Sequence, residues 1–189
     1  MRDGHRNLPR VNGSEPAPAS KTRPIGRFFD ALAVLLIALA AWKFFIQPRF
    51  FMSQLAPTPV PDVHLQLMGG RTFDLASARG HVVFLDFWAS WCEPCKQSIP
   101  LIEDYKAKHP NALVFSVNGG ETKAAAEKYA RSAGMRRVAF DPQMTVADAF
   151  RVNVFPTMIV IGKDGKERAK WVGFNPLIES DMGRAAQKF

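Results

Sequence analysis

The chain has 189 residues, 47% of them hydrophobic, two cysteines and a formal net charge of +8. That length and apolar content allow one ordinary domain with segments outside it, and exclude a chain that is disordered throughout. Half of the charge comes from residues 1–27, where Arg2, Arg6, Arg10, Lys21, Arg23 and Arg27 face only Asp3 and Glu15, so no basic, aromatic-studded face argues for nucleic acid.

Residues 1–27 are polar, basic and punctuated by Pro9, Pro16, Pro18 and Pro24, and read as a disordered cytoplasmic tail. Residues 28–46, FFDALAVLLIALAAWKFFI, are 19 nearly continuous apolar residues, close to the roughly 20 that cross a bilayer. Asp30 and Lys43 lie near the two ends, and Trp42 sits at the level of an interface aromatic. The Lys/Arg excess before the span predicts a cytoplasmic N-terminus and an outside location for everything after it. A cleaved signal peptide with Ala38-Leu39-Ala40 as its small-residue site is the alternative, and a buried core helix is a third. Residues 47–61 carry Pro48, Pro57, Pro59 and Pro61 and read as a stiff spacer.

A globular pattern occupies residues 62–189. Val63 to Leu67 alternates, Gly69-Gly70 turns, and Thr72 to Leu75 returns, which predicts a hairpin. Val82 to Trp88 is a nearly unbroken apolar run, as in a strand buried on both faces. A helix is predicted from Cys92 to about His109, interrupted at Pro100. There follow a strand at Ala112–Val117, a helix at Thr122–Ala133 stopped by Gly134, a short strand at Val138–Phe140 and a short helix at Thr145–Phe150. Thr157–Ile161 and Arg168–Val172 form a hairpin around residues 163–166, and a last helix starts near Pro176. Strands alternating with helices predict an α/β domain with a mixed sheet.

The two cysteines stand three apart in Trp91-Cys92-Glu93-Pro94-Cys95, after a buried strand and at the start of a helix. A pair this close encloses almost no chain, so it adds little stability and is better explained as chemistry. Cys92 falls at the helix N-terminus, where free N–H groups and the dipole favour a thiolate, and Cys95 lies one turn in. Cys92 then attacks a substrate disulfide and Cys95 resolves the mixed disulfide. A zinc half-site needs two more ligands, and His5, His64, His81 and His109 are scattered, so no metal is expected. Asp86 is an acid inside a buried run, and burial raises a carboxyl pKa towards the range a proton acceptor for Cys95 needs. The alternative is an aspartate satisfied by a nearby lysine or backbone group. Pro156, at the entry to a strand, is by itself an ordinary strand-entry proline.

Trp88-Ala89-Ser90-Trp91-Cys92-Glu93-Pro94-Cys95 resembles the thioredoxin active site, and Phe155-Pro156-Thr157 is similar to that family's cis-proline loop. The spacing from Asp86 to Cys92 matches the family's buried aspartate, and the resemblance covers about residues 60 to 180. The closer likeness is to the TlpA/ResA-like branch of membrane-tethered periplasmic thioredoxins, through Leu75-Ala76-Ser77-Ala78-Arg79-Gly80, an added strand–helix unit and the C-E-P-C motif. The resemblance implies a thioredoxin-like fold, a cis Pro156, and a substrate-binding surface of Trp91, Glu93, Pro94, Phe155 and Pro156 around the Cys92–Cys95 couple. It also implies an inner-membrane protein with a periplasmic domain, which takes electrons from a membrane thiol donor and reduces extracytoplasmic protein disulfides, cytochrome c maturation among its roles, without a cofactor. ResA-like proteins place a glutamate three residues after the second cysteine; this chain has Ser98 there, and Asp86 follows the thioredoxin pattern instead. Glu93-Pro94 brings no positive charge to stabilise a Cys92 thiolate, so a reducing couple is expected. The alternatives are a disulfide oxidase or isomerase, and a metal carrier of the same fold.

Overall fold

A computed structural model of the protein describes residues 33–38 and 58–189. Residues 33–38 are helical, with Val34, Leu35, Leu36 and Ile37 exposed. The expected tail at 1–27, the rest of the expected span at 28–46 and the spacer before Thr58 lie outside the described residues. Among the described residues no helix is long and apolar enough to cross a membrane.

Residues 58–189 build one eight-stranded sheet. Its strands are β1 (Thr58–Pro59), β2 (His64–Leu67), β3 (Thr72–Asp74), β4 (Val83–Trp88), β5 (Leu113–Gly119), β6 (Val138–Asp141), β7 (Thr157–Ile161) and β8 (Lys166–Val172). The spatial order is β1-β8-β7-β4-β5-β6-β2-β3. Strands β4, β5 and β6 are parallel and every other pairing is antiparallel, so the sheet is mixed, as the sequence predicts. The helices are α1 (Glu93–Lys108), α2 (Lys123–Ser132), α3 (Thr145–Ala149) and α4 (Ile178–Lys188).

The pleat sorts the core. Val83, Leu85 and Phe87 of β4 face one side, with the β2–β3 hairpin, the 3-10 turn Leu75–Ala78 and α3. Phe84 faces the other, against Ile102 and Tyr105 of α1 and Ile178 and Met182 of α4, and Trp88 packs with α1 and α2. Both faces of β4 are thus covered, which is why its six residues read as one apolar run and all are buried.

Three expectations change. Thr58 and Pro59, placed in the spacer, form an edge strand against Glu167 and Lys166; proline is tolerated there because an edge strand can leave one side without a ladder donor. Helix α1 runs as one element of 16 residues through Pro100, where an interruption is predicted. Pro100 lies exposed while Ile99 and Ile102 are buried, so core packing holds the helix and water can take the carbonyl that proline leaves unpaired. The last helix begins at Ile178, two residues later than expected.

Candidate active site

Strand β4 and helix α1 carry the cysteines between them. After Trp88 the chain turns through Ala89, whose carbonyl accepts the Cys92 N–H at 3.2 Å. Cys92 is the N-cap of α1, and its Sγ accepts the Cys95 N–H at 3.2 Å. Pro94 falls in the first turn, where its missing N–H removes no helical bond. The two cysteines form a disulfide, with Cα atoms 5.2 Å apart. Both are buried, Cys95 completely and Cys92 with a small exposed remainder, which orders them as attacking and resolving thiols.

The surrounding surface is apolar. Trp91 is 68% exposed, whereas Trp88 is wholly buried against Tyr129, with ring centroids 5.5 Å apart. Glu93 is exposed and its carboxylate accepts a hydrogen bond from the Lys96 ammonium at 2.9 Å, so its charge is partnered beside Cys92. That hydrogen bond, with the Glu93 charge, raises the Lys96 pKa. The Phe155–Pro156 bond is cis. Pro156 is buried and its carbonyl accepts the Gly173 N–H at 2.8 Å, while the Thr157 hydroxyl donates to the Val154 carbonyl at 2.7 Å. The Phe155 ring lies 6.1 Å from that of Trp91. Gly119 makes room for it: a Cβ there would come 2.8 Å from Phe155 Cζ and 2.7 Å from Met144 Sδ.

Asp86 is 2% exposed and sits opposite Ser116 of β5 and Met158 of β7. Burial pushes its carboxyl pKa up to about 7; the Lys106 charge pulls it down, Glu103 pushes it up, and the Ser116 hydroxyl pulls it down. Lys106 is itself buried and donates to Glu103 Oε1 at 2.7 Å, Ser116 Oγ at 2.9 Å and the Arg136 carbonyl at 2.7 Å. Burial lowers its pKa. Both alternatives read from the sequence are therefore present in one place: the carboxyl is raised and a lysine is nearby. Asp86, Ser98 and Pro156 line one small recess, so the ResA-like glutamate position and the thioredoxin-like aspartate face the same space.

Two groups here escape sequence reasoning. Lys106 looks like an exposed (i, i+3) partner of Glu103, yet it continues the buried stripe Cys95, Ile99, Ile102, and that periodicity was the available signal. Glu121 follows a Gly-Gly turn and carries no sequence signal. Its carboxylate accepts the Ser90 N–H at 2.7 Å, the Ser90 hydroxyl at 2.5 Å and the Asn118 amide at 2.7 Å, which fixes the turn leading into Trp91 and Cys92. Burial pushes the Glu121 pKa up, but the bonds from Ser90 and Asn118 outweigh it and hold the carboxyl below its ordinary value. Among the described residues no group of three or more His, Cys, Asp or Glu could hold a metal ion.

The redoxin family profile matches residues 55–185. The chain is 34% identical over 140 residues to the thiol-disulfide oxidoreductase ResA of Geobacillus kaustophilus, covering 71% of this chain and 80% of that protein. It is 32% identical over 146 residues to ResA of Bacillus subtilis, covering 74% and 82%. A crystal structure from Chlorobium tepidum, of a protein named for the thiol:disulfide interchange protein DsbE, superposes with a TM-score of 0.63 at 32% identity, over 68% of this chain and 93% of that one. A dithiol pair on the first turn of a helix, set beside a cis-proline loop within such matches, makes the chain a thiol–disulfide oxidoreductase of the redoxin family, in the TlpA/ResA-like branch of the thioredoxin superfamily.

Proposed function

We propose that the protein reduces disulfides of extracytoplasmic proteins, cytochrome c maturation among its roles, and that a membrane thiol donor reloads it. The observation that carries the chemistry is Cys92 at the start of α1, next to Trp91 and the Phe155–Pro156 loop. The Cys92 thiolate attacks one sulfur of a substrate disulfide; a Cys92–substrate S–S bond forms and one substrate thiolate leaves. Cys95 gives its proton to Asp86 and attacks Cys92 Sγ, closing Cys92–Cys95 and releasing the second substrate thiolate. The protein dithiol loses two electrons to the substrate, whose two thiolates take up protons from water, matching the proton that Cys92 released on ionising and the one that Asp86 passes on to water. Re-reduction by a dithiol donor reverses the balance on the protein side.

Phe155 makes no backbone hydrogen bond to another described residue, which leaves its N–H and carbonyl for an extended substrate chain. Trp91, Glu93, Pro94 and Pro156 complete that contact surface. The apolar run at 28–46, with its basic tail, supports a single-pass inner-membrane anchor with the catalytic domain outside.

The direction is tested by equilibrating the full chain with glutathione and then dithiothreitol. A reductase gives a potential near that of thioredoxin, about −270 mV; a value near that of DsbA, about −120 mV, makes the protein an oxidase or isomerase. Cys95→Ser is expected to accumulate the mixed disulfide with an oxidised extracytoplasmic substrate, and Cys92→Ser to form none.

A further inference from the structure

Asp86, Met158 and Trp171 stand in one row across β4, β7 and β8, because Asp86 registers with Met158 and Met158 with Trp171. Residues in register share a face of the sheet, here the face covered by α1 and α4. Asp86 is 2% and Trp171 5% exposed. Each carries a buried polar atom with no hydrogen-bond partner among the described residues: Asp86 Oδ2, an acceptor, and Trp171 Nε1, which can only donate. Unpaired polar atoms this deep are costly, and most are satisfied by protein or by an ordered water. Both residues line the same recess, whose volume of about 10 Å³ is that of one water centre. Two strand spacings put their backbones roughly 10 Å apart, with Met158 between them, and all three side chains border the recess.

We propose that this recess is a water site and that Trp171 is a positioning residue, its indole N–H holding the water that donates to Asp86 Oδ2. The proposal rests on Asp86 as the proton acceptor for Cys95. The other lining groups fix the direction of the water. The Ser98 hydroxyl donates to the Pro94 carbonyl at 3.2 Å, so its oxygen is left to accept. The Asn175 amide already donates to Asp181 Oδ2 and its oxygen accepts the Leu177 N–H, whereas the Trp171 N–H is a donor lining the recess with no partner among the described residues. The water thus receives one hydrogen, from Trp171, and gives its own two to Asp86 and Ser98. The arrangement favours the ionised carboxylate, and it links Asp86 through Ser98 to a carbonyl inside the C-E-P-C motif. The charged groups around Asp86 are Lys106 and Glu103 of α1, with Cys95 at the start of that helix. Strands β7 and β8 present only Met158, Val160, Ala169 and Trp171 on this face, and Asp181 of α4 is held by Asn175 and Arg184.

The test is the pH dependence of insulin reduction by the full chain, with dithiothreitol as electron source, for wild type, Trp171→Phe and Asp86→Asn. Trp171→Phe keeps an aromatic ring and removes the pyrrole half that carries the donor. Its rising limb should move up by about one pH unit, the scale of one hydrogen bond to a charged group. In the wild type, the Trp171 indole N–H resonance should show a nuclear Overhauser contact to water and should titrate together with that limb. An unmoved or lowered limb in Trp171→Phe, while Asp86→Asn abolishes it, overturns the role of Trp171 and leaves the proton acceptor standing. A limb that survives in Asp86→Asn overturns the acceptor as well. Should Trp171→Phe fail to fold, the wild-type resonance decides: without water contact the site does not exist.

Discussion

The burial that makes Asp86 useful also makes its carboxyl harder to ionise, and the cost of ionising it is a stability term. In the unfolded chain its pKa returns to about 4; in the folded protein it is about 7. Between those values the folded state keeps a proton that the unfolded state has released, so stability falls as pH rises through this window and levels off above it. The expected difference is about 4 kcal/mol across the window. Asp86→Asn should remove that slope and be the more stable protein at pH 8, as urea unfolding of the oxidised form at pH 5 and pH 8 would show. Lys106→Met acts in the opposite sense on the chemistry. It removes the charge that pulls the Asp86 pKa down, so the rising limb of disulfide reduction should move to higher pH. The aspartate was legible because an acid inside an apolar run has to be explained; its lysine was not, because a Lys three residues after a Glu looks like an ordinary surface pair.

At the scale of elements, the active-site turn is held from a distance. The end of β5 supplies Gly119, against which Phe155 lies, and the turn that follows it supplies Glu121, which binds Ser90. Three consecutive residues, 119–121, therefore set the cysteine turn and the cis-proline loop together. Glu121→Ala should lose about 1–3 kcal/mol through the three donors left unpaired, and reduce insulin several-fold more slowly with its pH limb in place. Gly119→Ala should lose about 1–3 kcal/mol by crowding Phe155 and Met144, and should raise KM for a protein disulfide more than it lowers kcat. Calorimetry and steady-state kinetics separate the two. The elements themselves could be read from local signals, such as the two Gly-bearing hairpin turns and Gly134, whose φ of +64° ends α2. The grip of Glu121 on Ser90 spans 31 residues of sequence and leaves no periodic trace.

At the scale of the whole domain, the sheet has an extra strand at its outer edge. Thr58 and Pro59 are too few to show a period-2 pattern, and three prolines nearby make the segment read as a spacer. Only pairing with β8, more than a hundred residues away, makes them a strand. A chain beginning at residue 62 lacks this pairing. It should unfold about 1 kcal/mol more readily and keep the same reduction potential, because β1 lies at the far edge of the sheet, with β8 and β7 between it and β4, the strand that leads into the cysteines. Fold class, the strand and helix that flank the cysteines and the identity of the reacting thiols follow from residue types that chemistry constrains. The supports that hold them come from long-range contacts, which a single sequence does not reveal.

Trp88 is sealed in the cluster that contains both cysteines, and Trp91, the residue before Cys92, is open to solvent with its ring tilted against that of Phe155. A disulfide accepts an electron from an excited indole at contact and so darkens it. Opening Cys92–Cys95 should therefore brighten the emission of the protein without any label. Exposed Trp91 contributes red-shifted emission, and buried Trp88 and Trp171 contribute blue. Each turnover would then be visible as light from the enzyme itself, and a bound substrate would announce its arrival by shifting the red component alone.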